Sequence, residues 1–231
     1  MSDYTKDEIR SEGAEVKVVE GGSYSDTLAV VQEDAATTGA LLVQDLSWDV
    51  YEEVPGWVAE GYSTMLQEPD RQIADAVDGR PTLAITSVGG GLWAQAVVEH
   101  YKASSPAPQI ITVEADTAAG FEESLHCGSN TVVATGDTIM AGLNSRSTMP
   151  TAWLILPDGA DVAVVVTDRE AHDSGQELQR RGVDAGPCGA AALAALRKLL
   201  CGEGGSLLRS MERMVAVLFS TEGDWDYGVP E

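Results

Sequence analysis

Apolar residues in this chain fall into short blocks that alternate with stretches of helical spacing. "PTLAITSV" (81–88), "QIITVEA" (109–115), "DVAVVVTD" (161–168) and "MVAVLFS" (214–220) are apolar or β-rich throughout, which predicts buried strands. "EVKVVEG" (15–21), closed by Gly21-Gly22, and "ALLVQDL" (40–46) have the same character and read as two further strands. Between these blocks the period changes. In 23–39, Leu28, Val31 and Ala35 recur at helical intervals behind Ser and Asp capping candidates. Pro55 suits a first helical turn, and Trp57, Val58, Tyr62, Met65 and Leu66 then carry a helix to about Val77. Helices are also predicted over 92–103, stopped before Pro106, and over 117–127. Residues 169–181 read as an exposed helix, and 189–202 as an Ala/Leu helix with basic residues near its end and Gly202 as its cap.

Strands alternating with helices argue for an α/β fold, a largely parallel sheet in three layers with helices on both faces. Covered faces explain strands that are apolar throughout. The 231 residues suffice for one sizeable α/β domain or two small ones, and no repeat, low-complexity tract or linker breaks the pattern.

Charge narrows the partners. Fourteen Lys+Arg against 37 Asp+Glu give a formal charge of −23 at pH 7, scattered rather than blocked. So acidic a surface repels nucleic acid and anionic lipid. Cys127, Cys188 and Cys201 are too few and too unpatterned for a disulfide framework, which favours a reducing cytoplasm. No apolar run reaches membrane-spanning length, and the polar, acidic start is no signal peptide. "KDEIRSEGAEVKVVEG" opens as the end of a helix, a glycine turn and a strand.

The candidate chemistry begins at "ITSVGGGLWAQAVVEH" (85–100), where a strand leads into Gly89, Gly90 and Gly91 and a helix leads out. Bare amides at a helix N-terminus bind anions, phosphate above all, and ligands of open α/β sheets sit at the carboxyl ends of strands. A tight backbone packing would also demand glycine. The spacing is not that of a P-loop. It also fails the dinucleotide fingerprint, because Ala94 occupies the last glycine position. With no positive charge in the loop, a neutral amide cradle for one phosphate monoester fits best. A nucleotide-binding Rossmann domain, with Glu114 as its acidic residue, stays open as a further reading. No His/Cys pair at ligand spacing predicts a metal, and no G-x-S-x-G predicts a serine hydrolase.

Together with "SVGGGLW", five segments resemble the fold-type II pyridoxal 5'-phosphate (PLP) enzymes, the tryptophan synthase β-like group, and within it the diaminopropionate ammonia-lyase branch. They are "VQDLSWDVYEEVPGWVAEGYSTM" (43–65), "ITVEAD" (111–116), "GDTIMAGLNSRSTMPTAWLIL" (136–156), "AGPCGAAALAAL" (185–196) and "VLFSTEGDWD" (217–226). The likeness runs from about Glu8 to Asp226. It implies residues 1–48 as a remnant of a small α/β domain and 49–231 as the large PLP-binding domain. It also implies that the backbones of Gly89, Gly90, Gly91 and Leu92 hold the cofactor phosphate. Cys188 takes the position facing the pyridine nitrogen, where a neutral partner keeps that nitrogen unprotonated; a helix start also lowers a thiol pKa. The plain alternative for Cys188 is a small buried hydrophobe. Asp45 matches a substrate-side acid/base, against an Asx turn after a strand. Glu114 would lie near the cofactor ring, against an exposed strand-end carboxylate.

The resemblance also implies a Schiff-base lysine and a "GNH" loop that grips the substrate carboxylate, and neither occurs. The lysines are Lys6, Lys17, Lys102 and Lys198, none in the motif, and His100, His126 and His172 are scattered. The chain therefore looks like the C-terminal half to two-thirds of such an enzyme. Completed by the lysine-bearing part, through a homodimer or a complementary chain, it would release ammonia from 2,3-diaminopropionate by β-elimination and yield pyruvate. The alternative is a catalytically inactive homologue or subunit that binds PLP or a phosphate.

Overall fold

Four of the six apolar runs become strands. The computed structural model describes residues 3–21, 24–77, 79–202 and 213–230. The chain divides into two compact units, Met1–Val43 and Gln44–Glu231.

The first unit holds α1 (Asp3–Ser11), a turn in which Gly13 takes φ 84°, and α2 (Tyr24–Thr38). Lys17 meets Asp34 of α2 at 2.7 Å. The strands expected at 15–21 and 40–46 do not form. A strand is held by a neighbour's backbone groups in a ladder, and neither run is part of the four-stranded sheet. Their side chains Val18, Leu41 and Val43 are exposed accordingly. Gly22 and the capping candidate Ser23 lie outside the described residues.

In the second unit the strands are β1 (Leu83–Ser87), β2 (Gln109–Ala115), β3 (Val162–Val166) and β4 (Ala216–Leu218). All pair in parallel in the order β3-β2-β1-β4, with Ile85 beside Ile111 and Leu218, and Val113 beside Val164. The helices are α3 (Glu53–Val77), α4 (Leu92–Lys102), α5 (Gly120–Cys127), α6 (Pro150–Trp153), α7 (Leu156–Gly159), α8 (Asp168–Arg180) and α9 (Pro187–Cys201). Successive strand residues feed opposite faces, as a period of two requires. Ala84 and Ile110 pack with Leu66 of α3, Val97 of α4 and Phe121 of α5. Leu83, Ile85, Ile111 and Val113 pack on the other face with Ala171 of α8 and Ala191, Ala192, Ala194 and Ala195 of α9. Both faces of the two central strands are thus covered, with the polar Thr86, Thr112 and Glu114 buried among the apolar residues.

The helix expected to be exposed, α8, buries one stripe. Ala171, Ser174 and Gly175 are buried, and a Cβ on Gly175 would stand 3.6 Å from that of Ala190 in α9. Small residues let the two helices approach closely, so an otherwise charged helix still has a packing face. Its start is a full capping box: the Thr167 hydroxyl oxygen accepts from the Glu170 N–H (3.1 Å), and the Glu170 carboxylate accepts from the Thr167 N–H (2.8 Å). Thr167→Ala is expected to lower unfolding free energy by about 1 kcal/mol, read from urea melts, without changing any ligand affinity.

Candidate active site

The site grows from the end of β1. Val88 donates its N–H to Val113 O (2.8 Å), which extends the sheet one residue before the chain turns. Gly91 then takes φ 101° and α4 begins. Gly89 and Gly91 are required sterically, whereas at Gly90 the flexible end of the Leu46 side chain would have to move. A Cβ on Gly89 would collide with the Gly142 carbonyl oxygen, one on Gly90 with Leu46, and one on Gly91 would lie 2.8 Å from the Ala152 Cβ. The tight-packing reading and the ligand reading therefore hold together: close packing places the loop, and the same bareness leaves its amides open. No side chain caps α4. Among the described residues, no hydrogen bond uses the N–H of Gly89, Gly90, Gly91 or Leu92. Such amides, with the helix dipole behind them, form an anion cup.

The turn at 141–143 links this cup to α9. Gly142 presents its carbonyl to Gly89, and its own Cβ position lies 3.4 Å from the Cys188 Sγ. Cys188 occupies the first turn of α9, and its N–H donates to Glu222 Oε2 at 2.7 Å. Ser87 at the end of β1 donates to the Cys188 carbonyl (3.3 Å). Burial, then the adjacent Glu222 charge, push the thiol up to about 12. The expectation that a helix start lowers this thiol is thus overturned. Desolvation and a carboxylate outweigh the dipole, and the carboxylate comes from 34 residues away.

A cavity of about 460 Å³ joins these parts. Gly89, Gly90, Gly91 and Leu92 line it, as do Gly142, Leu143, Cys188 and Glu222. Asp45 lines it too, with Leu46, Tyr62, Met65, Trp93, Met149, Phe219 and Thr221. Tyr62 meets Trp93 edge-on at 5.0 Å, and Trp93 meets Phe219 at 5.1 Å, which gives the cavity an aromatic wall. Burial and the Asp45 charge raise the Tyr62 hydroxyl pKa. Among the described residues, no Lys, Arg or His lines the cavity.

Six of the seven residues singled out from the sequence thus share one cavity; Glu114 does not. Glu114 is 3% exposed, and its carboxylate accepts from the N–H groups of Phe121 (2.7 Å) and Glu122 (2.8 Å) at the start of α5. It is neither a cavity residue nor an exposed strand end, but a buried helix cap. Burial, opposed by those N–H groups, pushes it up to about 7. Asp45 follows no strand, so the Asx turn expected after one has no strand to end. In the second unit Lys102 pairs with Asp161 (2.6 Å) and Lys198 with Glu170 (3.1 Å), neither in the cavity lining; within the first unit Lys6 pairs with Asp3 and Lys17 with Asp34. His100 meets Asp70 (2.7 Å) and His172 meets the Tyr227 hydroxyl (3.0 Å). No metal-holding cluster is found among the described residues, and no helix there is long and apolar enough to cross a membrane.

Sequence reasoning missed Glu222, Tyr62, Ser87 and Gly142 as site residues. Glu222 stood in a segment noted only for its likeness. Its one local signal was a carboxylate just beyond a buried strand, in "FSTEGD".

Comparison with known proteins agrees with this geometry. Diaminopropionate ammonia-lyase of Salmonella typhimurium is 32% identical over 171 residues, 69% of this chain and 41% of the relative. The enzyme of that name from Escherichia coli K12 is 30% identical over 236 aligned positions, 95% of this chain and 58% of the relative. The chain thus spans about half the length of the curated relatives it matches. A crystal structure of Escherichia coli diaminopropionate ammonia lyase, in complex with an aminoacrylate–PLP azomethine reaction intermediate, superposes with a TM-score of 0.83. It is 26% identical and covers 96% of this chain and 60% of that one. Maize serine racemase shares the fold, with a TM-score of 0.78 at 19% identity, covering 97% of this chain and 64% of that one. The profile of the family described as "Pyridoxal-phosphate dependent enzyme" matches residues 1–218. With that match spanning nearly the whole chain, this chain belongs to the pyridoxal-phosphate dependent enzymes.

Proposed function

We propose that the cavity holds PLP, with the phosphate on the amides of Gly89, Gly90, Gly91 and Leu92 and the ring nitrogen toward Cys188, in a lyase acting on 2,3-diaminopropionate. The observation that carries this is a single one: four amides without acceptors among the described residues and a half-buried thiol line the same cavity. When bound, the cofactor supplies an electron sink for the pair of electrons left at an amino acid's α-carbon. The chain's own residues do the rest. The amides neutralise the phosphate without a cation. Tyr62, Trp93 and Phe219 exclude water, and Asp45 is the carboxylate placed to hold a proton beside the substrate. Similarity to the ammonia-lyases supports β-elimination of ammonia, with pyruvate as the carbon product.

No lysine is among the described residues that line the cavity, so the amine for Schiff-base chemistry comes from elsewhere than this lining. It is supplied in an assembly, either a homodimer or a complementary chain. The same observation favours a second reading, a binding protein that keeps the cofactor without covalent attachment.

The test is titration with PLP, followed by borohydride reduction and dialysis. Saturable, dialysable binding that borohydride does not fix is expected of the isolated chain. Addition of methylamine as a surrogate amine, with 2,3-diaminopropionate, is expected to release pyruvate if the lyase reading holds and none if the chain only binds. Absence of saturable PLP binding sinks both.

A further inference from the structure

A second cavity, of about 390 Å³, lies at the other end of β1 and α4 from the glycine loop. Its apolar wall is Ala74 of α3, Pro81 before β1, Ala103 after α4 and Pro108 before β2. Asp70 of α3, Arg80, and His100 and Tyr101 from the last turn of α4 bring polar groups to the same space. Apolar walls with a few converging polar groups are the ordinary make-up of a small-molecule site.

Two of those groups are left unmet. Tyr101 is 3% exposed, and among the described residues its hydroxyl has no hydrogen-bond partner; neither has Asp70 Oδ1. Asp70 meets His100 Nε2 through Oδ2 alone, at 2.7 Å. The Tyr101 hydroxyl stands near enough to Asp70 for that charge to add to burial in raising its pKa, yet the two make no hydrogen bond in good geometry. An unmet buried polar group is costly, so such a pair marks a place where a further group belongs. Arg80 gives one of its five donors to the Ser105 carbonyl (2.7 Å) and lines the same cavity. The pocket thus carries one side chain of each charge, Asp70 and Arg80. A singly charged ligand would answer only one of them, and a net anion is further disfavoured by the formal −23 of the chain. A zwitterion answers both.

We propose that this second cavity binds a free amino acid with an apolar side chain, its ammonium on Asp70 Oδ1 and the Tyr101 hydroxyl and its carboxylate on the Arg80 guanidinium. The side chain packs against Ala74, Pro81, Ala103 and Pro108. Asp70 is half-exposed, and on entry it turns to bring Oδ1 onto the ammonium. The site shares no lining residue with the first cavity and does not rest on the PLP reading.

The experiment titrates L-leucine into the full chain by calorimetry, beside 3-methylbutylamine, which lacks the carboxylate, and 4-methylpentanoate, which lacks the ammonium. Leucine is expected to bind saturably and each analogue about tenfold more weakly, the loss of one charge-assisted contact. Asp70→Asn and Arg80→Gln are each expected to weaken leucine about tenfold as well. No saturable binding, or unchanged binding in both variants, overturns the inference, and an analogue that binds as well as leucine overturns the zwitterion. Asp45→Asn is expected to leave leucine binding unchanged; a loss there, with Asp70→Asn silent, places the amino acid in the first cavity and overturns the second site. One readout needs no ligand. Tyr101→Phe removes the unmet hydroxyl, so it is expected to keep or raise the melting temperature of the free chain while weakening leucine. A lowered melting temperature would show that the hydroxyl already has a partner, against the inference. Should Asp70→Asn not fold, Arg80→Gln, at an exposed residue, carries the test.

Discussion

Gly91→Ala is expected to abolish PLP binding and to lower the melting temperature by on the order of 10 °C. Two separate costs combine. Gly91 sits at φ 101°, a region that a side chain enters at about 1–3 kcal/mol. The new methyl would also stand 2.8 Å from the Ala152 Cβ, and overpacking of that kind costs about 1–3 kcal/mol. Backbone relief would turn the Gly89–Leu92 amides out of the cup, so ligand binding is lost together with stability. Thermal melts with and without PLP separate the two. In wild type, ligand at about 100 times its dissociation constant adds about 2.7 kcal/mol. In the variant that increment is expected to vanish. A variant that keeps the full ligand-induced shift would show that the amides are not the phosphate site.

Glu114→Gln is the second large effect, and it concerns pH. The folded carboxyl is raised to about 7 from an ordinary 4.5, so the native state binds the proton more tightly than the unfolded chain. Its contribution is full below the ordinary value. It is lost as pH rises toward the folded value, by on the order of 3 kcal/mol in total. Wild type is therefore expected to lose that much between about pH 4.5 and 7.5, over and above the other carboxylates. Glu114→Gln removes the titration. It is less stable at acid pH, because its NH2 faces one of the two N–H groups of Phe121 and Glu122. The wild-type-minus-variant difference in urea midpoints, followed across that range, checks both points. A difference that does not change with pH would place the Glu114 carboxyl at an unperturbed pKa.

Short-range chemistry wrote much of this molecule into its sequence. The runs at 81–88, 109–115, 161–168 and 214–220 became strands because they carry β-rich apolar residues that two covered faces can use. Helices 92–102 and 187–201 were legible from periodicity and terminal residues. The glycine loop was legible as bare backbone between a strand and a helix, and Cys188 because "AGPCGAAALAAL" at a helix start resembles a family segment. The runs at 15–21 and 40–46 have the composition of strands, but a ladder needs a partner, and composition cannot supply one.

What tertiary structure alone decided is which groups meet and what charge they carry. Glu114 reads locally as a strand-end acid; the fold brings α5 over it and makes it a buried cap. Cys188 reads as a thiol activated by a helix dipole; burial first, and then the Glu222 that the loop after β4 brings beside it, reverse the direction of its shift. Dihedral preference and periodicity are properties of a residue and its near neighbours, so the sequence determined the elements. Desolvation and Coulomb interaction depend on distance through space, so the state of each carboxyl and thiol waited for the fold.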